Sequence, residues 1–404
     1  MGYFKQGANG ISWLGAFRIF SKAISFGRIA ILARVLSPVQ FGIFGIASIV
    51  LALLEVLSET GINVFLIQEK SNIKTHLNTA WVVSIVRGIL ISLILIIVSK
   101  PLANFFSSPD AYPILILISL VPFIKGFINP ALVTFQKELE FKKDVLFRSS
   151  VFLVGTIVTV SLALITRSTS SLIWGLIAGS VLEVVLSHLF ISPTPRFNFD
   201  FDKIKKVVHR GKWMTLTGTF NYFFHQGDDM VVGKLLGDSS LGYYQVAYKI
   251  STLPITEVCD IFGRVSFPIY TKIREDKKRL RQAFFKTLAV IAGLTIPFGL
   301  ILFLFASPII KILLGDQWLV ITPLLKVLSI FGIVRAISGS SSSLLLALKK
   351  QRAVSIVTLV SLIGMALSVI PLTLTYGLIG TSFSALLGSV VALPFMVYFV
   401  WKVL

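Results

Sequence analysis

Charged residues are scarce in this sequence, and acidic residues are the scarcest. Only 14% of its 404 residues are charged, with 18 acidic against 38 basic side chains. In contrast, 55% are hydrophobic and the mean hydropathy is +0.87. Soluble domains need roughly 25% charged residues to cover their surfaces. The composition therefore excludes a chain of soluble domains and predicts a protein that is solvated by lipid.

Cysteine and histidine are also scarce. The single cysteine, Cys259, excludes an internal disulfide and is expected to be a small core residue in its apolar stretch. The four histidines, at 76, 188, 209 and 225, lack the spacing of metal ligands, so no metal or other cofactor is expected. Arg18 and Lys22 interrupt the apolar stretch near residue 1, which argues against a signal peptide.

Long apolar stretches predict an all-α polytopic fold with about 12 transmembrane helices. The predicted spans are 11–35, 41–67, 80–99, 112–136, 149–166, 171–191, 212–236, 241–270, 285–306, 323–348, 352–375 and 377–400. When alternate connections are assigned to two sides, 24 basic residues lie on the side of both termini, five on the other and nine within spans. This asymmetry predicts cytoplasmic termini, and it explains the net charge of +20 without nucleic acid.

A weak internal repeat relates the two halves of the chain at an offset near 200. RVLSPVQFGIF at 34–44 matches KLLGDSSLGYY at 234–244, and SSLI at 170–173 matches YGLI at 376–379. Lys100-Pro101-Leu102 likewise matches Ser307-Pro308-Ile309. We expect an N-lobe at 1–191, a cytoplasmic linker at 192–211 and a C-lobe at 212–404. Each lobe would hold six helices beside a central cleft, with the pseudo-twofold axis along the membrane normal.

Charged residues inside the predicted spans mark candidate functional positions, because charge is costly at membrane depth. Basic residues in a cleft can grip a phosphate, and the candidate substrate-binding residues are Arg18, Lys22, Arg28, Lys249, Arg264 and Arg335. Carboxylates with little water around them bind protons more readily, and the candidate ion-coupling residues are Glu55, Glu59, Asp228, Asp229, Glu257 and Asp260. The other charged residues within spans are Arg87, Lys125, Glu183 and Lys326.

Two of these groups also have a purely structural interpretation. Asp260 and Arg264 are four residues apart and could neutralise each other within one helix. Glu55 and Glu59 could pair with the basic residues of the first helix, Lys22 or Arg18, as structural contacts. The spacing alone leaves both interpretations open.

Seven ordered stretches carry a family resemblance. They are ILARVLSPVQFGIFGIASI (31–49), TGINVFLIQEK (60–70), PLANFFSSPDAYPILILISL (101–120), FQKELEFKKD (135–144), DDMVVGKLLGDSSLGYYQVAYKISTLP (228–254), FPIYTKIREDKKRLRQAFFK (267–286) and SPIIKILLGDQW (307–318). Together they resemble the polysaccharide flippases of the multidrug/oligosaccharidyl-lipid/polysaccharide exporter superfamily, and in particular the colanic and teichuronic acid exporters. SKAISFGRIAILARV at 21–35 also resembles the first helix of lipid II flippases, which implies that Arg28 and Lys22 are cavity cations. Lipid II flippases have an acidic residue directly after this arginine, where this sequence has Ile29. They also have an arginine in the second helix, at a position that falls near Glu55 in this sequence.

The resemblance implies a MATE-like fold that works by alternating access. It implies movement of an undecaprenyl-pyrophosphate-linked oligosaccharide from the inner to the outer leaflet of a bacterial cytoplasmic membrane. Membrane lipids and polysaccharide polymerase machinery are the other expected partners, and the coupling ion is open. A cation-coupled antiporter of small solutes or drugs is the alternative with the same fold. A membrane enzyme is not expected, because the outer connections are short.

Overall fold

Helices make up nearly all of the described chain. The computed structural model describes residues 2–59, 74–138, 140–197 and 201–404; some side chains within these ranges, among them those of Arg18, Asp260 and Arg264, lie outside the description. No strand occurs in the described ranges. The chain divides into two compact units, Met1–Gly227 and Asp228–Leu404.

The first unit contains long helices and one broken helix. Its helices are α1 (Gly2–Val35), α2 (Pro38–Leu57), α3 (Lys74–Phe105), α4 (Ala111–Ile118), α5 (Leu120–Lys125), a 3-10 turn (Pro130–Val133), α6 (Thr134–Lys137), α7 (Phe141–Thr166), α8 (Ser170–Leu189) and the first part of α9 (Phe201–Ile273). α1 packs on α7, and α7 packs on α8. α3 lies against the broken helix formed by α4, α5 and the 3-10 turn.

The second unit begins within α9. Its further helices are α10 (Lys277–Leu304), α11 (Ala306–Leu313), a 3-10 turn (Asp316–Ile321), α12 (Thr322–Ala347) and α13 (Gln351–Val403). α12 packs against both α10 and α13. A buried apolar cluster joins the α9 end, α10, α12 and α13 around Tyr270, Phe284, Leu344 and Met396.

Local sequence signals set several helix starts. Ser37 and Gln40 form a capping box at the start of α2, in which each side chain accepts a hydrogen bond from the other residue's backbone N–H. Pro38 fills the first position of the helix, where a missing N–H costs nothing. Asp276 caps α10 by accepting a hydrogen bond from the backbone N–H of Arg279 at 3.0 Å.

Two glycines divide the longest helices. Gly237 has φ 81° and interrupts α9, and Gly377 has φ 59° and interrupts α13. Glycine has no Cβ and adopts positive φ without the steric cost that other residues meet. Both breaks fall at repeat positions, since Gly237 corresponds to Ser37 in the gap between α1 and α2, and Gly377 corresponds to Ser171 in the first turn of α8.

The described helices confirm the prediction of an all-α multi-pass membrane protein. Seven described helices are long and apolar enough to cross a membrane, and Ala111–Lys125 with Pro130–Lys137 adds a further candidate span bent by 71°. Their outer faces carry exposed apolar side chains, such as Ile165 (78% exposed) and Leu367 (75% exposed), which suit contact with lipid. α1 and α9 fall outside this set, in keeping with the charges that the sequence places in them. The count of 12 spans stays a prediction.

One predicted span and the predicted linker can be compared with the described helices. Within the predicted span 41–67, α2 ends at Leu57, where the backbone N–H and the hydroxyl of Ser58 both donate to the carbonyl oxygen of Leu54. Residues 60–67 lie outside the described residues. α9 begins at Phe201, inside the stretch 192–211 assigned to a linker, and runs on without a break to Gly237.

Candidate functional site

A cluster of four charged residues lies inside the first unit. Glu55 and Glu59 stand at the end of α2, Arg87 is in α3, and Lys125 is the last residue of α5. Nη2 of Arg87 lies 3.8 Å from Oε2 of Glu59, and Nζ of Lys125 lies 3.9 Å from Oε1 of Glu55. The sequence marked Arg87 and Lys125 as charged positions within spans but did not assign them to the site. Finding them required knowing which helices are neighbours.

Arg87 does more in this cluster than neutralise Glu59. Its Nη2 donates to the backbone carbonyl of Glu55 at 2.6 Å, and its Nε donates to Oγ of Ser58 at 3.0 Å. The last carbonyl groups of a helix have no partner within the helix, so a cation there satisfies them and complements the helix dipole. Arg87 therefore fixes the end of α2 and the position of Glu55.

A cavity of about 390 Å³ adjoins these charges. Besides the four charged residues, its lining includes Ser84, Gly88, Pro122, Gly126 and Pro130. A Cβ added at Gly88 would lie 2.5 Å from the carbonyl oxygen of Pro122, so glycine is required where α3 meets the broken helix. Charged side chains and the side chain of Ser84 thus share the wall of one cavity, which suits a polar or charged solute inside an apolar unit.

The break after Lys125 is held by a single buried asparagine. Oδ1 of Asn129 accepts a hydrogen bond from the backbone N–H of Ala131 at 2.9 Å. Its Nδ2 lies within hydrogen-bond distance of the carbonyl oxygens of Ser187, Ile191 and Pro193. Backbone groups freed by the break are in this way tied to the end of α8, as lipid-embedded chains require.

The first helix contributes Arg28 to the same unit. The guanidinium carbon of Arg28 lies 5.9 Å from the ring centroid of Phe152 in α7, within the range of a cation–π contact. Lys22 is half-buried, and the side chain of Arg18 lies outside the described residues. The common orientation of these three residues toward a cleft stays a prediction.

A second polar cluster lies in the unit Asp228–Leu404. The carboxylate of Asp228 is 5% exposed; its Oδ2 accepts a hydrogen bond from the hydroxyl of Tyr244 at 2.7 Å, and its Oδ1 accepts one from the backbone N–H of Asp229 at 3.0 Å. Oδ2 of Asp229 accepts a hydrogen bond from Nε2 of Gln245 at 3.3 Å. Asp228 and Asp229 precede Gly237, and Tyr244 and Gln245 follow it, so the break at Gly237 brings them side by side.

Tyr248 extends this cluster to Arg335. The rings of Tyr244 and Tyr248 lie 6.2 Å apart, and Nη1 of Arg335 donates to the hydroxyl of Tyr248 at 2.6 Å. The guanidinium of Arg335 also lies 5.9 Å from the ring of Phe331. The predicted residues Asp228, Asp229 and Arg335 thus belong to one cluster. Its tyrosines, Tyr244 and Tyr248, were not among the predicted site residues, although their four-residue spacing beside Gly237 offered a signal.

The remaining predicted residues of the eighth span are described only in part. Lys249 is exposed and Glu257 is half-buried, while the side chains of Asp260 and Arg264 lie outside the described residues. Their shared polar face stays a prediction. Among the described residues, no group of three or more His, Cys, Asp or Glu side chains is arranged to hold a metal ion.

Sequence comparisons connect the chain to proteins of surface polysaccharide synthesis. The profile of a family described as polysaccharide biosynthesis protein matches residues 31–323. The lipopolysaccharide biosynthesis protein WzxC of Escherichia coli (strain K12) is 26% identical over 341 residues, which cover 84% of this chain and 69% of the relative. An uncharacterized membrane protein in the cps region of Klebsiella pneumoniae is 30% identical over 332 residues, covering 81% of this chain and 68% of the relative.

Two solved structures share the fold. The lipid II flippase MurJ in an inward closed conformation has a TM-score of 0.79 at 17% identity, covering 96% of this chain and 87% of its own. An inward-facing multidrug resistance MATE family transporter of the MOP superfamily has a TM-score of 0.63 at 14% identity. The match covers 96% of this chain and 94% of the transporter. At these identities the likeness extends to the fold alone, and it confirms the predicted MATE-like helical architecture.

Proposed function

Because the chain belongs to the family of polysaccharide biosynthesis proteins, we propose that it is a flippase for a lipid-linked oligosaccharide. Its cargo is an undecaprenyl-pyrophosphate-linked oligosaccharide that moves from the inner to the outer leaflet of a bacterial cytoplasmic membrane. Both termini then lie in the cytoplasm, as the distribution of basic residues favours. The proposal assigns transport and no catalysis to the chain, and it includes the machinery that polymerises the cargo as a partner.

The charged cavity of the first unit is the observation that carries this proposal. A sugar pyrophosphate is large, anionic and strongly hydrated, so it cannot enter hydrocarbon unaided. The cavity beside Glu55, Arg87 and Lys125 supplies polar and charged walls within helices whose outer faces are apolar. The polyprenyl tail needs no such cavity, because it is soluble in the lipid itself.

Arginine cations are the proposed contacts for the pyrophosphate. Arg28 is oriented by Phe152, and Arg335 is oriented by Tyr248 and Phe331. A guanidinium held in one orientation can bind two phosphate oxygens at once. The proposed substrate-binding residues are the six predicted from the sequence, Arg18, Lys22, Arg28, Lys249, Arg264 and Arg335.

Six carboxylates, two in the first unit and four in the second, are the proposed coupling groups. Asp228 is the strongest candidate, because it is buried and accepts a hydrogen bond from Tyr244, whose ring packs beside that of Tyr248, the hydrogen-bond acceptor of Arg335. A change of its charge would alter the hydrogen bond from Tyr244 and the field at Arg335. The proposed ion-coupling residues are the six predicted from the sequence, Glu55, Glu59, Asp228, Asp229, Glu257 and Asp260.

Replacement of Arg28 in cells tests the proposal. In a polymer-producing strain that depends on this chain, Arg28→Ala is expected to lower surface polysaccharide and to accumulate the lipid-linked precursor, with unchanged protein in the membrane. Arg34→Ala, in an exposed position at the end of the same helix, is the matched control and should leave both unchanged. Wild-type polymer and precursor levels in the Arg28→Ala strain would contradict the proposal.

The fold likeness to MATE transporters favours one alternative, a cation-coupled antiporter of small solutes or drugs. Such a protein would raise resistance to lipophilic cations when expressed, and its loss would leave the lipid-linked precursor at normal levels. Measuring both quantities in one deletion strain separates the two functions.

A further inference from the structure

A cavity of about 250 Å³ lies between α10, α12 and α13 of the second unit. Its walls are largely apolar and include Phe284, Leu288 and Met396. Phe284 and Met396 belong to the buried apolar cluster of this unit, so the inner wall is part of the packed core. The cavity is therefore a stable feature of helix packing rather than a gap between loose side chains.

The rim of the cavity is open on one side. Val397 is 63% exposed and Trp401 is 83% exposed, and both line the cavity. They lie near the end of α13, where Tyr398 and Lys402 are also exposed. Tryptophan, tyrosine and basic residues together are typical of the boundary between hydrocarbon and headgroups. The cavity thus opens toward lipid at headgroup depth.

Basic residues stand at this opening. Arg281 lines the cavity, and its guanidinium lies 5.9 Å from the ring of Phe285. Lys277 and Lys278 precede Arg281 by four and three residues, so they share its face of α10. Nζ of Lys402 lies 5.9 Å from the ring of Tyr398, and the two residues are next to the lining residues Trp401 and Val397 in α13. A cationic mouth above an apolar cavity matches the chemistry of an anionic amphiphile.

We propose that this cavity is a binding site for an anionic phospholipid of the bilayer. The phosphate contacts Arg281 at the mouth, and part of one acyl chain fills the space between Phe285, Met396 and Trp401. A zwitterionic phospholipid gains less from the basic mouth, because its own cation is repelled there, and a soluble anion gains nothing from the apolar walls. The site is separate from the proposed transport of an oligosaccharide and would anchor α10 and α13 in one leaflet.

Quenching of Trp401 by brominated lipid tests the site. The full chain is reconstituted in vesicles, and the Trp401 signal is the difference between its fluorescence and that of Trp401→Phe. Brominated phosphatidylglycerol at low mole fraction should quench this signal with about five-fold preference over brominated phosphatidylcholine, the effect of one basic residue near headgroups. The preference should fall in high salt.

Charge-matched variants distinguish a site from general surface charge. Arg281→Ala should remove most of the preference, while Arg281→Lys should retain most of it. Lys286→Ala removes the same charge from an exposed position of α10 that does not line the cavity, and should retain the preference. Quenching by brominated phosphatidylcholine, equal in all variants, reports that each variant is inserted.

Four outcomes would overturn the proposal. Equal quenching by both lipids excludes recognition of the anionic headgroup. An equal loss of the preference for phosphatidylglycerol in Arg281→Ala and Lys286→Ala would show that general surface charge causes it. Displacement of phosphatidylglycerol by a small amount of polyprenyl phosphate assigns the cavity to the tail of the cargo. Loss of quenching as the protein-to-lipid ratio rises assigns it to a second copy of the chain.

Discussion

Arg87 shows how a charged side chain is accommodated inside an apolar unit. Its guanidinium contacts the Glu55 carbonyl, the Ser58 hydroxyl and the Glu59 carboxylate, so its charge is met by several hydrogen-bond and ionic partners. A charge at membrane depth is tolerated when it is satisfied in this way. The same contacts hold the end of α2 against α3 at the rim of the cavity.

Removal of Arg87 should destabilise the first unit. Arg87→Ala leaves the Glu55 carbonyl without this donor, and is expected to lower the free energy of unfolding by about 1–3 kcal/mol. The thermal unfolding midpoint of the purified protein in detergent measures the effect. Lys143→Ala is the control, because its exposed ion pair with Glu140 should contribute about 1 kcal/mol or less. Equal midpoints for the two variants would contradict this account of Arg87.

Asp228 offers a test that separates charge from hydrogen bonding. Asp228→Asn removes the charge but can keep both contacts, because its Oδ1 can accept from the backbone N–H of Asp229 while its Nδ2 donates to the hydroxyl oxygen of Tyr244. Transport should therefore lose its dependence on an ion gradient while the unfolding midpoint changes little. Tyr244→Phe instead removes one donor to a buried carboxylate and should cost about 1–3 kcal/mol of stability. Gradient dependence is measured as the ratio of transport rates with and without the gradient.

The control for this pair lies on the surface of the second unit. Asp316→Asn removes a carboxylate whose ion pair with Lys311 is exposed, and should change neither stability nor coupling. If transport by Asp228→Asn retained the full gradient dependence, Asp228 would not be a coupling residue.

Breaks in helices create both polar clusters. The bend after Lys125 places this residue beside Glu55, and the positive φ of Gly237 places Asp228 beside Tyr244. The predicted span boundaries fell at Gly237 and next to Gly377, because turns need particular residues that can be read locally. They did not predict that Lys125 meets Glu55, because that contact depends on the angle of the bend and on which helices pack together.

Close helix packing in the first unit gives a prediction at the level of elements. A Cβ at Gly175 of α8 would collide with the side chain of Thr159 and lie 2.6 Å from the carbonyl oxygen of Gly155 in α7. Gly175→Val should therefore force α7 and α8 apart and cost about 1–3 kcal/mol of stability. The unfolding midpoint in detergent measures this cost.

A second glycine provides the matched control. A Cβ at Gly293 of α10 would meet nothing within 4 Å, so Gly293→Ala should raise the stability by up to about 1 kcal/mol through its higher helix propensity. A Gly175→Val protein as stable as the Gly293→Ala protein would show that the α7–α8 contact adjusts without cost.

At the scale of the whole molecule, composition predicted the fold class more fully than the sites. Low charge and long apolar stretches are properties of every span. The predicted fold class therefore does not depend on where any single helix, such as α2, ends. A site depends on a few contacts between distant residues. Single charged positions such as Arg87, Lys125 and Arg335 were visible in the sequence, but their partners Ser58, Glu55 and Tyr248 became visible only with the fold.

The central claim is that this chain carries a lipid-linked oligosaccharide across a membrane. It is tested most directly in vesicles that contain the purified chain and an undecaprenyl-pyrophosphate-linked oligosaccharide, by following the fraction of sugar that an added membrane-impermeant glycosidase can cleave. The account predicts that this fraction rises with time in vesicles with the chain, and rises more slowly with Arg28→Ala than with Arg34→Ala. A time course equal to that of protein-free vesicles would contradict it.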